Sequence, residues 1–285
     1  KWGRRVPYED WEELLRDAVD EDDFMSLKWH FKWCSLSLVY DNITSVVVLD
    51  VAIRYHREHG KRWTDAFESV AKSLRVDFLR VFFDHIPLER ITREDSRCVE
   101  RFVRNVIMGG QVDVMKFLLE KGIDINFVVY NETMLSLACA VEKVDIIDLL
   151  LEAGAQVNFP ESEEPSHIPL FRAVVSNDVT ILDRLIFYGV DLTFTTKIHG
   201  FNAWRTAVRD CNGVNPYTEE RLPIFQRLAD LRIPVDSLTL HTVYERNFET
   251  PIEEKIRDII ITAPRIVYGE RHWYDNPEWV AKKKR

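Results

Sequence analysis

Four short strings return along this chain at nearly even intervals, and that recurrence restricts the fold more than any other feature. Val76-Asp77-Phe78-Leu79, Val112-Asp113-Val114-Met115, Val144-Asp145-Ile146-Ile147 and Val179-Thr180-Ile181-Leu182 come into register at steps of 36, 32 and 35 residues. Each string opens an apolar run with helical spacing, and three of the runs end at Gly122, Gly154 and Gly189. Glycine suits such a position because the residue just past a helix end adopts a left-handed backbone, which a Cβ disfavours. A shorter helical pattern precedes each run, as at 133–140, so one unit is a short helix, a tight turn and a longer helix. Such a unit buries its apolar face only against neighbouring copies, which implies a stacked array.

The repeats resemble the ankyrin repeat. Asn131-Glu132-Thr133-Met134-Leu135 stands where that family opens its first helix, and Leu149-Leu150-Leu151-Glu152-Ala153-Gly154-Ala155-Gln156-Val157-Asn158 follows its exit. Further matches are Ile168-Pro169-Leu170-Phe171-Arg172-Ala173, Gly200-Phe201-Asn202-Ala203-Trp204 and Phe117-Leu118-Leu119-Glu120-Lys121-Gly122-Ile123-Asp124-Ile125-Asn126. The resemblance implies an all-α solenoid with short finger loops, binding a protein partner through its concave face and fingers. It departs from the family at Ile86 and Arg232, where the exit glycine is missing. Ser136, Phe171 and Arg205 replace the family's opening histidine, which predicts looser capping.

The resemblance covers 63–236, divided into units at 63–95, 96–130, 131–165, 166–200 and 201–236. The last unit is lengthened around Asn212-Gly213-Val214-Asn215-Pro216, a composition that favours a loop between its helices. Residues 1–62 read as a divergent helical cap, with patterns at 11–19, 24–31 and 45–59. Residues 237–285 read as a closing helix pair, 237–247 and 251–262, followed by an aromatic and basic tail expected to fold back on the array. The chain opens at Lys1 without methionine, which leaves open that it is an excerpt of a longer protein.

With 46% hydrophobic and 30% charged residues, the composition is globular and supplies no run of the roughly 20 apolar residues that a spanning helix needs. The net charge of −9 is concentrated: nine acids against Arg16 lie between Glu9 and Asp23. Nucleic acid is therefore not an expected partner, since phosphate binding needs a concentrated basic face. Within the acidic run, Asp20, Glu21, Asp22 and Asp23 are read either as a solvated helix start that favours carboxylates or as steering a basic segment of a partner. The terminal Lys282-Lys283-Lys284-Arg285 reads either as a nuclear-import signal or as a solvated tail. Cys34, Cys98, Cys139 and Cys211 are too far apart for a CxxC site and are expected as buried thiols, which favours an intracellular setting, cytoplasm or nucleus.

No catalytic constellation emerges: GxSxG, P-loop and GxGxxG patterns are all missing from the sequence. His56 and His59 share a helix face without a third ligand and read as a solvated basic helix end, and no cofactor or metal is expected. Glu253-Glu254 reads as a helix-start pair. The expected function is thus a non-catalytic adaptor, scaffold or regulatory module; the alternative is an enzyme or enzyme subunit with a pocket formed by the irregular ends. Five residues beyond each exit glycine stands a phenylalanine, Phe127, Phe159 and Phe194, and these rings either pack against the adjacent finger or are candidate partner anchors. Tyr130, Glu161, Glu163, Glu164 and Lys197 are the candidate polar rim.

Overall fold

A computed structural model describes residues 46–58, 62–158, 167–196, 200–209 and 215–265. The segments read as helical at 11–19 and 24–31, and the tail from 266 onward, lie outside these residues. The chain divides into two compact units between Tyr130 and Asn131. Apart from two two-residue strands, the regular structure among the described residues is helical.

In the first unit, α1 (Val46–Glu58), α2 (Trp63–Lys72), α3 (Val76–His85), α4 (Leu88–Glu94), α5 (Ser96–Gly109) and α6 (Val112–Glu120) precede β1 (Val128–Val129). The pairs α2/α3 and α5/α6 stand where the helix pairs were expected, but not with a short first and a longer second helix: α2 and α3 each span 10 residues, and α5 with 14 is longer than α6 with 9. α3 packs between α1 and α6, while α2 packs against α5. Phe67, Phe82, Phe83 and Phe102 fill the space between the two layers, with ring centroids 5.3 to 5.8 Å apart. After α3 the array departs from its period. Ile86 is extended (φ −132°) and Pro87 follows, so the chain turns into α4, which packs on α2 and α5. Glu94 of α4 accepts the Trp63 backbone N–H at 2.8 Å, satisfying an orphan donor at the start of α2.

The second unit holds β2 (Glu132–Thr133), α7 (Met134–Ala140), α8 (Val144–Glu152), α9 (Pro169–Ser176), α10 (Val179–Phe187), α11 (Ala203–Val208), α12 (Leu222–Asp230), α13 (Ser237–Glu245) and α14 (Pro251–Thr262). A 3-10 turn (Glu219–Arg221) leads into α12. The first helices α7, α9, α11 and α13 pack successively on one another, and α12 packs between α10 and α14. The expected closing pair is present as α13 and α14. The lengthened loop falls between α11 and α12, where Tyr217 is buried and stacks on Phe225 at 6.1 Å. Beyond α14, Arg265 pairs with Val235, whose N–H donates to the Pro264 carbonyl at 2.7 Å.

The four recurring strings start α3, α6, α8 and α10 at their first residue. α8 shows why they are helices: Asp145 complements the dipole in the first turn, and Ile146, Ile147, Leu150 and Leu151 form one buried face. Each such side chain contributes about 1.5–3 kcal/mol by leaving water. The helix closes by two bonds, from Gly154 N–H to the Leu151 carbonyl at 3.0 Å and from Ala155 N–H to the Leu150 carbonyl at 2.9 Å. Gly122 and Gly189 close α6 and α10 in the same way, at φ +84° and +83°. No atom lies within 4 Å of a Cβ built at these three glycines, so backbone conformation alone demands them. Arg232 takes the equivalent place after α12 at φ +52°, with the same two bonds. Capping is retained at two of the altered helix starts. Thr133 accepts the Ser136 N–H at 3.1 Å and Asn202 accepts that of Arg205 at 2.8 Å, whereas Ile168 offers α9 no side-chain cap.

Candidate partner-binding surface

The finger after α6 is built by its own aspartate. The Asp124 carbonyl accepts the Phe127 N–H at 2.8 Å, and its carboxylate accepts that of Asn126 at 2.9 Å. The resulting turn sets Phe127 half-buried on the wall of a cavity of about 390 Å³ that Leu88, Val99, Ile123 and Asp124 also line. Beyond it the chain turns outward. Val128 is 41% and Tyr130 48% exposed, and Tyr130 holds a left-handed backbone at φ +49°. Arg104 lies 5.7 Å from the Tyr130 ring, and Glu100 accepts the Tyr130 N–H at 3.4 Å.

The finger after α10 repeats this construction in the second unit. The Asp191 carbonyl accepts the Phe194 N–H at 3.2 Å, and its carboxylate accepts that of Thr193 at 2.9 Å. Phe194 is half-buried and leans on Phe171, with centroids 6.1 Å apart. Asn158, the last residue of the preceding exit, bonds both ways to this finger. Its amide donates to the Gly189 carbonyl at 3.0 Å and its oxygen accepts the Asp191 N–H at 2.7 Å. Phe159, Glu161, Glu163, Glu164, Lys197 and the acidic residues Asp20, Glu21, Asp22 and Asp23 lie outside the described residues.

Sequence reasoning missed Val128 as an exposed apolar residue and Arg104 as the partner of the Tyr130 ring. Both lie away from the five-residue spacing that drew attention to the phenylalanines, although Val128 is adjacent to Phe127. His56 is also not the solvated residue expected: it is buried, stacks on Trp63 at 4.3 Å and an interplanar angle of 18°, and its Nε2 lies 3.1 Å from the Arg62 carbonyl. The start of α2 folds over this end of α1 and covers it.

The remaining chemistry is quiet. Burial, then the neighbouring Glu68 carboxylate, pushes the Cys98 thiol up to about 12, and burial raises Cys139 to about 12. Both thiols stay protonated at neutral pH and make poor nucleophiles. Among the described residues no three His, Cys, Asp or Glu side chains are grouped to hold a metal, and no helix is long and apolar enough to cross a membrane.

No protein-family model and no curated protein matches the chain. Among solved structures it is similar to the human ASB11 ankyrin repeat domain, at 18% identity and a TM-score of 0.48, over 78% of this chain and 98% of that one. That likeness adds no residue to the surface. The chain's own helix pairs, with their left-handed exits and aspartate-built fingers, constitute a helical repeat fold.

Proposed function

We propose that this chain is a non-catalytic protein-interaction module, an adaptor, scaffold or regulatory part of a larger protein, which holds a protein partner through its first-helix faces and finger loops. The observation that carries this reading is the finger after α6, where Val128 and Tyr130 are exposed beside the cavity that Phe127 walls. An aromatic ring and a β-branched side chain held on a short turn lose little conformational freedom on binding, and Tyr is enriched among residues that dominate interface energies. Phe159 and Phe194 with Glu161, Glu163, Glu164 and Lys197 extend the same role to the other fingers, and Asp20 to Asp23 steer a basic part of the partner toward the chain.

A photo-cross-linking amino acid at position 130, compared with one at the exposed Asp113 in α6, tests the proposal. The expected result is a defined protein adduct from position 130 that the Val128→Ser variant diminishes while its melting temperature is retained. Equal labelling from both positions would overturn it.

A further inference from the structure

Adjacent fingers of a regular array flank one another, but on one side of the finger after α6 stands α4 instead, because Ile86 and Pro87 carry the chain from α3 straight into Leu88. The cavity of about 390 Å³ that Phe127 walls lies between α4 and this finger. Its floor is apolar. Leu88 of α4, Val99 of α5 and Ile123 are each more than nine-tenths buried, and Phe127 is half-buried. A cavity of this size falls within the range of sites that receive a ligand or an anchoring side chain. At protein interfaces such a pocket, apolar within and polar at its edge, is where an aromatic residue of the partner contributes most.

The rim sets the sign of what can lie beside that residue. Glu89 and Arg93 of α4 and Asp124 of the finger line the cavity and are exposed. The other cations of these two walls are taken: Arg90 lies 3.6 Å from Glu94, and Lys121 holds Asp84 at 2.9 Å. Arg93 therefore faces two carboxylates, and the rim is left with a negative charge. Both carboxylates have oxygens to offer. Glu89 makes no side-chain hydrogen bond or ion pair among the described residues, and Asp124 gives one oxygen to the Asn126 N–H and keeps the other.

We propose that this cavity receives an aromatic side chain of the protein partner that has a lysine or arginine next to it in sequence, with the ring on Leu88, Val99, Ile123 and Phe127 and the cation against Glu89 and Asp124. The inference rests on the reading of the chain as a partner-binding module and names the kind of segment held. An acidic flank would set like charge against Glu89 and Asp124. A basic flank adds attraction at the rim, and the chain's net charge of −9 favours its approach from further off.

The test is fluorescence anisotropy with three labelled peptides alike except at the centre, which is Lys-Trp-Lys, Glu-Trp-Glu or Lys-Ser-Lys. The Lys-Trp-Lys peptide is expected to bind about tenfold tighter than either of the others. Glu89→Gln/Asp124→Asn should weaken it about threefold with the melting temperature retained, since asparagine still accepts the Asn126 N–H that shapes the finger. Thr92→Phe, which fills the cavity from α4, should weaken it at least tenfold. Lys-Trp-Lys bound no tighter than a control, bound equally well by the Glu89→Gln/Asp124→Asn variant, or still bound by a folded Thr92→Phe protein would overturn the proposal. Binding that appears only after Trp273, Tyr274 and Trp279 are replaced by alanine would also overturn it, by giving the cavity to this chain's own tail. Loss of the peptide site with cross-linking at position 130 intact would reject the basic aromatic segment alone and leave the interaction module standing.

Discussion

Asn202 and Asp236 join the starts of two successive first helices: the Asn202 amide donates to the Asp236 carboxylate, and each residue caps its own helix. Asn202 accepts the Arg205 N–H at 2.8 Å, Asp236 accepts that of Thr239 at 2.7 Å, and both caps are buried. Removing the amide therefore breaks one cap and withdraws a donor from a buried carboxylate. An N-cap is worth about 0.5–2 kcal/mol and a hydrogen bond to a charged group about 1.5–3 kcal/mol. Asn202→Ala is expected to lower stability by about 2–4 kcal/mol in urea denaturation at pH 7. Asn202→Asp is expected to do worse, because it sets a second carboxylate against Asp236. A loss below about 1 kcal/mol for both would show that the two caps act separately.

Left-handed residues recur in the inner turns before the four recurring strings, not only at the glycine exits. Leu74, Gly110, Glu142 and Asn177 stand two residues before α3, α6, α8 and α10, at φ +52°, +65°, +55° and +61°. A side chain in this region costs about 1–2 kcal/mol, partly offset by the 0.5–1 kcal/mol that glycine's extra freedom costs. Glu142→Gly, at an exposed site, is expected to raise stability by roughly 0.5 kcal/mol, and Arg232→Gly by a similar amount. The reverse change, Gly154→Ala, should lower it by about 1 kcal/mol. Thermal melts of the three variants check the signs.

Glu253 gives the molecule a defined acid sensitivity. Its carboxylate accepts N–H groups from Glu249 at 2.8 Å, the Asn215 side chain at 2.9 Å and Thr250 at 3.0 Å, and these bonds hold it down at about 2. A depressed carboxyl stabilises the fold above its unfolded value, near 4.5, and that contribution fades as pH falls from there through about 2. Glu253→Gln should be less stable than the parent at pH 6, and the gap should close toward pH 2. A gap that stays constant over that range would remove Glu253 as the source.

The repeat was legible because its causes are local. Helix period, exit glycines and the Asp-started fingers all lie within one unit, so α3, α6, α8 and α10 begin where the recurring strings do. What was not legible needed contacts between segments far apart in sequence. α4 fills the place of a finger because Pro87 restarts the chain at Leu88. His56 is buried because Trp63 stacks on it. Glu142 and Leu74 hide the inner-turn motif, since neither residue type signals a left-handed backbone. The cavity beside Phe127 is the clearest case. Leu88 and Ile123 lie far apart in sequence and share its floor with Val99 only because α4 packs on α5.

The fingers allow anchoring and structural roles to be separated residue by residue. Phe127 and Phe194 are half-buried, the first on its cavity wall and the second against Phe171, so each contributes to its own unit. Half the burial of a phenylalanine is worth about 1–1.5 kcal/mol, and truncation to alanine should lower stability by roughly that much at either site. Tyr130 is 48% exposed, with one face under Arg104 and the rest in solvent, and Tyr130→Ala should change stability by no more than about 0.5 kcal/mol. Partner affinity should rank the other way: Tyr130→Ala is expected to cost at least tenfold, because an exposed aromatic buries most of its area only in the complex. Denaturation and binding measured on the same three variants give the comparison. A Tyr130→Ala protein that loses stability as much as Phe127→Ala, or keeps full affinity, would return this residue to a structural role.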